Sequence, residues 1–252
     1  MKKRPMFSVI TVCYNSENTI RQTIDSVLQQ TFSDFEYIII DGGSTDNTMK
    51  IVGEYAGKID KIVHEKDRGI YDAMNKGINI ASGYFIGVLN SSDLYSGNRV
   101  LECISMLLDN SPYQVTFGNL NFFKGNNFSK IVRRYNSKSF KVWKLKFGWM
   151  PPHPSSFMPK QLFDQYGLYD NSFETGADYE FFVRTLLINS VPFKYVNLDI
   201  VNMQVGGATT KGIKSYNKNS TEIYRSLKKH DINIPYFLIY LRGLFKIFEK
   251  LR

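Results

Sequence analysis

Cysteine is almost missing: the 252 residues hold two, Cys13 and Cys103, with no metal-type spacing between them. That excludes a disulfide framework and a cysteine metal cage, and it predicts a reducing, cytoplasmic setting. Long apolar runs are missing too. The longest near the end, about Tyr236 to Leu241, is far short of the roughly 20 residues a membrane-spanning helix needs. The basic start, Met1-Lys2-Lys3-Arg4-Pro5-Met6, leads straight into Phe7–Val12, which is too short for a signal-peptide core and lacks a cleavage site. The turn after that first apolar run contains no glycine, and no Walker A sequence occurs anywhere, which argues against dinucleotide-binding dehydrogenases and P-loop enzymes. No repeat or low-complexity segment is present.

What remains is ordinary globular material, 43% hydrophobic and 22% charged, long enough for one large core or two small domains. The net charge of +9 is uneven. Residues 124–146 carry eight basic side chains and no acid, residues 211–252 carry ten basic and three acidic ones, and the rest of the chain is net −6. Two basic segments on an acidic body point to a polyanionic partner, nucleic acid or an anionic bilayer; solvated lysines alone are the plainer reading of the first segment.

Strand and helix patterns alternate through the first half. Phe7–Val12, Phe35–Ile40 and Tyr84–Leu89 are continuous apolar runs typical of buried parallel strands, with a shorter one near Lys61–His64. Between them Ile20, Ile24, Val27 and Leu28, then Ile51, Val52 and Tyr55, then Ile70, Ala73, Met74, Gly77, Ile78 and Ala81 recur at helical spacing. This βαβαβαβ order predicts an α/β fold with an open, doubly wound sheet. Beyond it, Tyr113–Phe123 and Phe128–Arg134 flank a hairpin turn at Lys124–Asn127, and helix returns around Ala177–Ile188. From Ile234 on the chain is amphipathic, with Arg242, Lys246, Glu249 and Lys250 on one face and Leu241, Leu244, Phe245, Phe248 and Leu251 on the other. The expected layout is a nucleotide half of about 1–110, an acceptor half of about 111–210, and a basic helical tail over 211–252.

In such sheets ligands collect at the carboxyl ends of the strands. Three polar clusters sit there: Tyr14-Asn15-Ser16-Glu17, Asp41-Gly42-Gly43-Ser44-Thr45-Asp46, and Asn90-Ser91-Ser92-Asp93. Asp93 after a buried strand suits a hard cation, Mg²⁺ or Mn²⁺, or simply caps a turn. Arg68 could meet phosphate or be a surface charge, and Asp41 before two glycines could be only a turn residue. Asp178, in Gly176-Ala177-Asp178-Tyr179, can act as a general base held at a helix start, or can be there for the helix macrodipole. His153, between Pro152 and Pro154 in a stiff extended segment, is either functional or a packing residue.

Taken together, Phe7–Asn15, Asp41–Thr48 and Glu65-Lys66-Asp67-Arg68-Gly69-Ile70-Tyr71-Asp72-Ala73-Met74-Asn75-Lys76-Gly77 resemble family 2 glycosyltransferases of the GT-A fold, in a bacterial branch that builds surface polysaccharides. The resemblance covers residues 7 to about 207. It implies a Rossmann-like open mixed sheet and an inverting transfer from a nucleotide sugar, foremost a UDP-hexose or UDP-N-acetylhexosamine, to a saccharide acceptor. It implies that Thr11, Tyr14, Glu17 and Asp41 hold base and ribose, with Asn15 in the same nucleotide-binding set, and that Arg68 lies near the diphosphate. Asn90, Ser91, Ser92 and Asp93 match the family's acidic motif, with Asp93 as metal ligand. Asp178 matches the catalytic base, and His153 lines the acceptor side. One departure stands out: members of this branch commonly carry two adjacent aspartates where this chain has Ser92-Asp93. A serine is a poor metal ligand, so a catalytically weak nucleotide-sugar scaffold or sensor is the alternative.

The basic tail then fits an anionic membrane surface, and through it a polyprenyl-linked acceptor on the inner face of the membrane. Packing of Phe245 and its neighbours on the domain, or in a homodimer, is the other reading. A nucleic-acid partner is not expected, because no binding motif accompanies the charge and the body is net acidic. A nucleotidyltransferase would need a glycine-rich basic loop that the chain lacks.

Overall fold

The structure is a computed structural model, and it describes residues 3–108, 114–125, 130–205 and 212–242. The apolar runs become the central strands. β1 (Phe7–Cys13) pairs in parallel with β2 (Phe35–Asp41) and with β4 (Phe85–Val88), and β3 (Lys61–His64) adds outside β2. All seven residues of β1 are buried, because helices cover both faces. On one face lie α1 (Ile20–Leu28), the short α2 (Thr48–Gly53) and α4 (Val100–Leu107), packing Ile20, Ile24, Val27 and Leu101 onto Phe7, Val9 and Ile39. On the other, α3 (Ile70–Ile80) lays Tyr71, Met74 and Ile78 on Ile10 and Ile40. Gly77 lets α3 approach closely: a β-carbon there would lie 2.6 Å from Ile10 Cγ2.

The second half changes the sheet from parallel to mixed. β5 (Asp93–Tyr95), β6 (Val115–Phe123), β7 (Ile131–Tyr135), β8 (Ser156–Pro159) and β9 (Phe193–Gln204) complete nine strands in the order β3-β2-β1-β4-β8-β6-β9-β5, with β7 on β6. β8 runs antiparallel to β4, so the doubly wound parallel reading holds only as far as β4. β5, β8, β9 and α4 carried no clear periodicity, being short or half-exposed. The β6–β7 hairpin is antiparallel as its pattern predicts, although 126–129 of its turn lie outside the described residues. α5 (Lys160–Tyr166) and α6 (Ala177–Phe182) follow, and α6 runs on into one π-helical turn, Val183–Ile188.

Two expectations need correction. The face of α3 turned to the core is led by Tyr71, 7% exposed, while Ile70 is 42% exposed, because a helix starting at Ile70 aligns Tyr71 rather than Ile70 with Met74 and Ile78. The tail is not a free appendage. α7 (Gly212–Lys229) buries Ile223 and Leu227 in the same core as α6, and Glu222 accepts hydrogen bonds from Glu174 N (2.8 Å) and Thr175 N (2.7 Å). In the helical stretch 236–242, Ile239 and Arg242 point inward, whereas Phe237, Tyr240 and Leu241 are exposed, which reverses the expected faces at Leu241 and Arg242. Arg242 can be buried because Gly148 O (2.9 Å) and Asn219 Oδ1 (2.5 Å) accept from its guanidinium and Tyr216 lies under it. Leu244, Phe245, Lys246, Phe248, Glu249, Lys250 and Leu251 lie outside the described residues. Among the described residues no helix is long and apolar enough to cross a membrane.

Candidate active site

The loops after β1, β2 and β4 meet at the carboxyl edge of the sheet and are bonded into one surface. Asn15 takes a left-handed conformation (φ 46°), which its short polar side chain tolerates, and Asn15 Oδ1 then accepts from Thr45 N at 2.9 Å. Asn15 N donates to Ser44 Oγ (2.8 Å) and Ser16 N to Thr48 Oγ1 (2.7 Å). Glu17 accepts from both nitrogens of Asn47, and the Ser16 and Ser91 hydroxyls share a hydrogen bond at 2.8 Å. Tyr14, 61% exposed, stands at the mouth of this surface.

Asp41 organises the second loop from below. It is fully buried, and Asp41 Oδ2 accepts from Gly43 N (3.0 Å) and Ser44 N (2.8 Å) and pairs with His64 Nδ1 (2.7 Å). Asp41 Oδ1 accepts from Ser44 Oγ (2.5 Å) and Cys13 Sγ (3.4 Å). Burial opposes its charge, but the bonds from Ser44, His64 and Cys13 outweigh burial and hold the carboxyl below its ordinary range. Every acceptor position of Asp41 is thereby engaged within the chain. Thr11 is also fully buried and shares a hydrogen bond with Tyr37 Oη at 3.0 Å. Both residues shape the loops and offer no atom to solvent, which corrects the expectation that they touch base and ribose. Arg68 does face solvent, its side chain 82% exposed, just before α3. Its neighbour Asp67 packs against the glycine turn so closely that a β-carbon on Gly42 would lie 2.2 Å from Asp67 Oδ2.

Asp93 opens β5 and is 1% exposed; Asn90 Nδ2 donates to Asp93 Oδ2 at 3.0 Å, and Asp93 N donates back to Asn90 O at 2.9 Å. Burial dominates and pushes the Asp93 carboxyl up to about 7 despite the Asn90 bonds. Asn90 Oδ1 is buried without a hydrogen-bond partner. One carboxylate and one orphaned amide oxygen form a hard donor pair, which fits a Mg²⁺ or Mn²⁺ that takes its other ligands from a diphosphate and water. Among the described residues no three of His, Cys, Asp and Glu converge to hold a metal by themselves. Ser92 adds no charge to the set.

Asp178 sits in the first turn of α6, half-buried, on the far side of the sheet edge from these loops in sequence but reached by α3. Tyr71 Oη donates to Asp178 Oδ1 at 2.9 Å, and Tyr179 N donates to the same oxygen at 2.9 Å. Burial, reinforced by the Asp178 charge, raises the Tyr71 phenol well above its ordinary value, so it stays a donor. The Tyr71 ring packs on Tyr169 at 5.8 Å, and Tyr169 Oη shares a 2.7 Å hydrogen bond with His153 Nε2. His153 is buried in a 3₁₀ turn, His153–Ser155, rather than in an extended segment, since Ser155 N closes back onto Pro152 O at 3.0 Å. Burial draws its imidazole below the ordinary value, against the pull of Asp178, so it is neutral at pH 7. From α3, Asn75 clamps the backbone of Tyr169 through both amide atoms (3.0 and 2.8 Å), and Asp72 accepts from Asn171 at 3.1 Å.

Tyr71, Asn75 and Tyr169 were not singled out as site residues. A signal existed for the first two: polar side chains at i and i+4 on the apolar face of a helix ask for buried partners. The neighbouring Glu180, fully buried, has a structural task, joining α6 to α7 through Arg184 (2.9 Å), His230 (2.8 Å) and Lys229 (3.3 Å).

Comparison with known proteins places this arrangement. The sequence matches the family described as Glycosyl transferase family 2 over residues 8–168. It is 28% identical over 213 residues to a PGL/p-HBAD biosynthesis glycosyltransferase of Mycobacterium bovis, covering 83% of this chain and 80% of that protein. It is 32% identical over 191 residues to an uncharacterised glycosyltransferase of Mycobacterium tuberculosis, covering 75% of this chain and 71% of the relative. Among solved structures, Staphylococcus aureus TarS 1-349 in complex with UDP superposes with a TM-score of 0.65 at 19% identity over 88% of this chain, which spans 65% of the TarS chain. The Pyrobaculum calidifontis mannosyltransferase PcManGT, in complex with GDP-Man and Mn²⁺, gives 0.64 at 14% identity, covering 96% of this chain and 70% of that one. These likenesses in fold agree with the loops, the mixed sheet and the matched sequence: the chain is a member of glycosyl transferase family 2.

Proposed function

We propose that the chain is an inverting glycosyltransferase that moves a hexosyl or N-acetylhexosaminyl group from a UDP-sugar to a saccharide acceptor. The observation that carries this reading is the placement of Asp178: a half-buried carboxylate, hydrogen-bonded through one oxygen, on a helix that α3 ties to the donor-side loops. Tyr14, Asn15, Glu17 and the Asn90–Ser92 turn form the nucleotide floor, Thr11 and Asp41 support it, and Arg68 meets the diphosphate. Asp178 takes the proton of the acceptor hydroxyl as that oxygen attacks the anomeric carbon from the face opposite the departing UDP, so one glycosidic bond breaks, one forms, and the configuration inverts. Asp93 and Asn90 would hold a divalent cation, whose positive charge offsets the charge developing on the diphosphate. His153, neutral and buried behind Tyr169, supports the acceptor side from within.

The acceptor proposed is lipid-linked, in bacterial surface polysaccharide synthesis on the inner face of the membrane. The exposed Phe237, Tyr240 and Leu241 stripe, followed by a basic sequence, supports docking on an anionic bilayer. Co-sedimentation with anionic liposomes, with and without residues 235–252, tests this; equal binding, or a dimer with no liposome binding, rejects it.

The central experiment is calorimetric titration with UDP, GDP and ADP, with and without Mn²⁺, followed by UDP release from a panel of UDP-hexoses and UDP-N-acetylhexosamines. Metal-dependent, UDP-selective binding with turnover that vanishes in Asp178→Asn supports the proposal. GDP selectivity overturns the donor, and full turnover in Asp178→Asn overturns the base. The lone, buried Asp93 favours one second reading, a nucleotide-sugar-binding scaffold, and UDP binding without turnover of any donor would establish it.

A further inference from the structure

We infer that Tyr71 is the positioning residue of the base: by occupying Oδ1 of Asp178 it leaves Oδ2 as the atom that takes the acceptor proton. This rests on the reading of Asp178 as the base. Both hydrogen bonds to the carboxylate, from Tyr71 Oη and Tyr179 N, land on Oδ1, and Oδ2 accepts none among the described residues. A carboxylate has a more basic position where its lone pairs are uncommitted, and a fixed Oδ1 also fixes the plane in which Oδ2 points. The Tyr179 amide belongs to the same helical turn and moves with Asp178. Tyr71 is different, because it reaches the base from α3, 107 residues away in sequence.

α3 suits this task because one rigid element holds contacts to both halves. Its leading edge carries Arg68, whose backbone amide donates to Asp72 at 3.1 Å. One turn on, Tyr71 holds Asp178; Asp72 and Asn75 hold Asn171 and the Tyr169 backbone; and Tyr169 packs on the Tyr71 ring. The phenol cannot swing away without opening a ring site that is 7% exposed. The distance between the donor floor and the proton-accepting oxygen is therefore set by α3.

Tyr71→Phe keeps the ring and removes only the donor, so it separates positioning from packing. In UDP release from any UDP-sugar the full-length chain turns over, kcat should fall about 10- to 100-fold, the range expected for losing one hydrogen bond to a charged group. KM for the donor should stay within about twofold and the melting temperature should hardly move. In an Asp178→Asn background, Tyr71→Phe should have no further effect, because the group it positions is gone. A Tyr71→Phe enzyme with wild-type kcat beside an inactive Asp178→Asn refutes the positioning role and leaves the base intact. An active Asp178→Asn refutes the base reading itself. A double-mutant cycle on thermal stability decides the case without turnover: effects of Tyr71→Phe and Asp178→Asn that add show that the two side chains are not coupled, and overturn the inference.

Discussion

Replacing Asp41 separates a residue that shapes the donor loop from one that touches the nucleotide. Its two oxygens face different donors. Oδ2 meets two backbone amides that cannot rotate, Gly43 N and Ser44 N, while Oδ1 meets the hydroxyl of Ser44 and the thiol of Cys13, which can. An Asn at 41 can put its oxygen on the amides and its NH₂ toward Ser44 Oγ, so Asp41→Asn keeps the loop and loses mainly charge assistance, about 1–2 kcal/mol. Asp41→Ala leaves both amides without their acceptor beneath a fully buried position, at about 1–3 kcal/mol each, for a total near about 4 kcal/mol. For a chain of this size that lowers the melting temperature by about 8–16 °C for Ala and only a few degrees for Asn. UDP affinity should follow loop integrity: within about threefold of wild type in Asn, and more than about tenfold weaker in Ala. Thermal unfolding and UDP titration of both variants are the assay. If Asn loses UDP binding as completely as Ala while keeping its melting temperature, Asp41 contacts the nucleotide directly and the supporting role is wrong.

Two further outcomes are expected. Glu36 accepts from Lys61, Ser8 and Ser82 with a side chain 8% exposed, and although burial opposes its charge those bonds hold it near pKa 2 instead of 4.5. A depressed carboxylate stabilises the fold above its unfolded value and loses that contribution as pH falls from about 4.5 to about 2, so Glu36→Gln should cost about 3 kcal/mol at pH 7 and converge with wild type in acid; a constant difference across that window would contradict it. Arg242→Ala should cost about 2–3 kcal/mol and make the chain after α7 susceptible to limited proteolysis, because Gly148 O and Asn219 lose their donor. Arg242→Met, which refills the volume without a buried charge, should recover part of that stability; identical losses in the two variants would show that the hydrogen bonds, not the packing, hold the helix.

The sequence by itself determined the strands β1 to β4, because a strand covered on both faces needs an unbroken apolar run, and such runs are visible without partners. It also determined where the polar loops fall, since Asn, Asp, Ser and Gly at strand ends announce turns, and its family motifs marked Asp93 and Asp178 as chemistry-bearing positions. Tertiary structure decided the rest. β5, β8 and β9 are strands only because a sheet edge offers them partners, and their local patterns are too short or too mixed to say so. Thr11 and Asp41 look like ligand residues in one dimension and prove to be buried supports, because burial depends on which neighbours fold over them. The contact of Tyr71 with Asp178 and the inward turn of Arg242 both join residues about a hundred positions apart. Periodicity reports which face of a helix is apolar, but it does not reveal which distant polar group that face will meet.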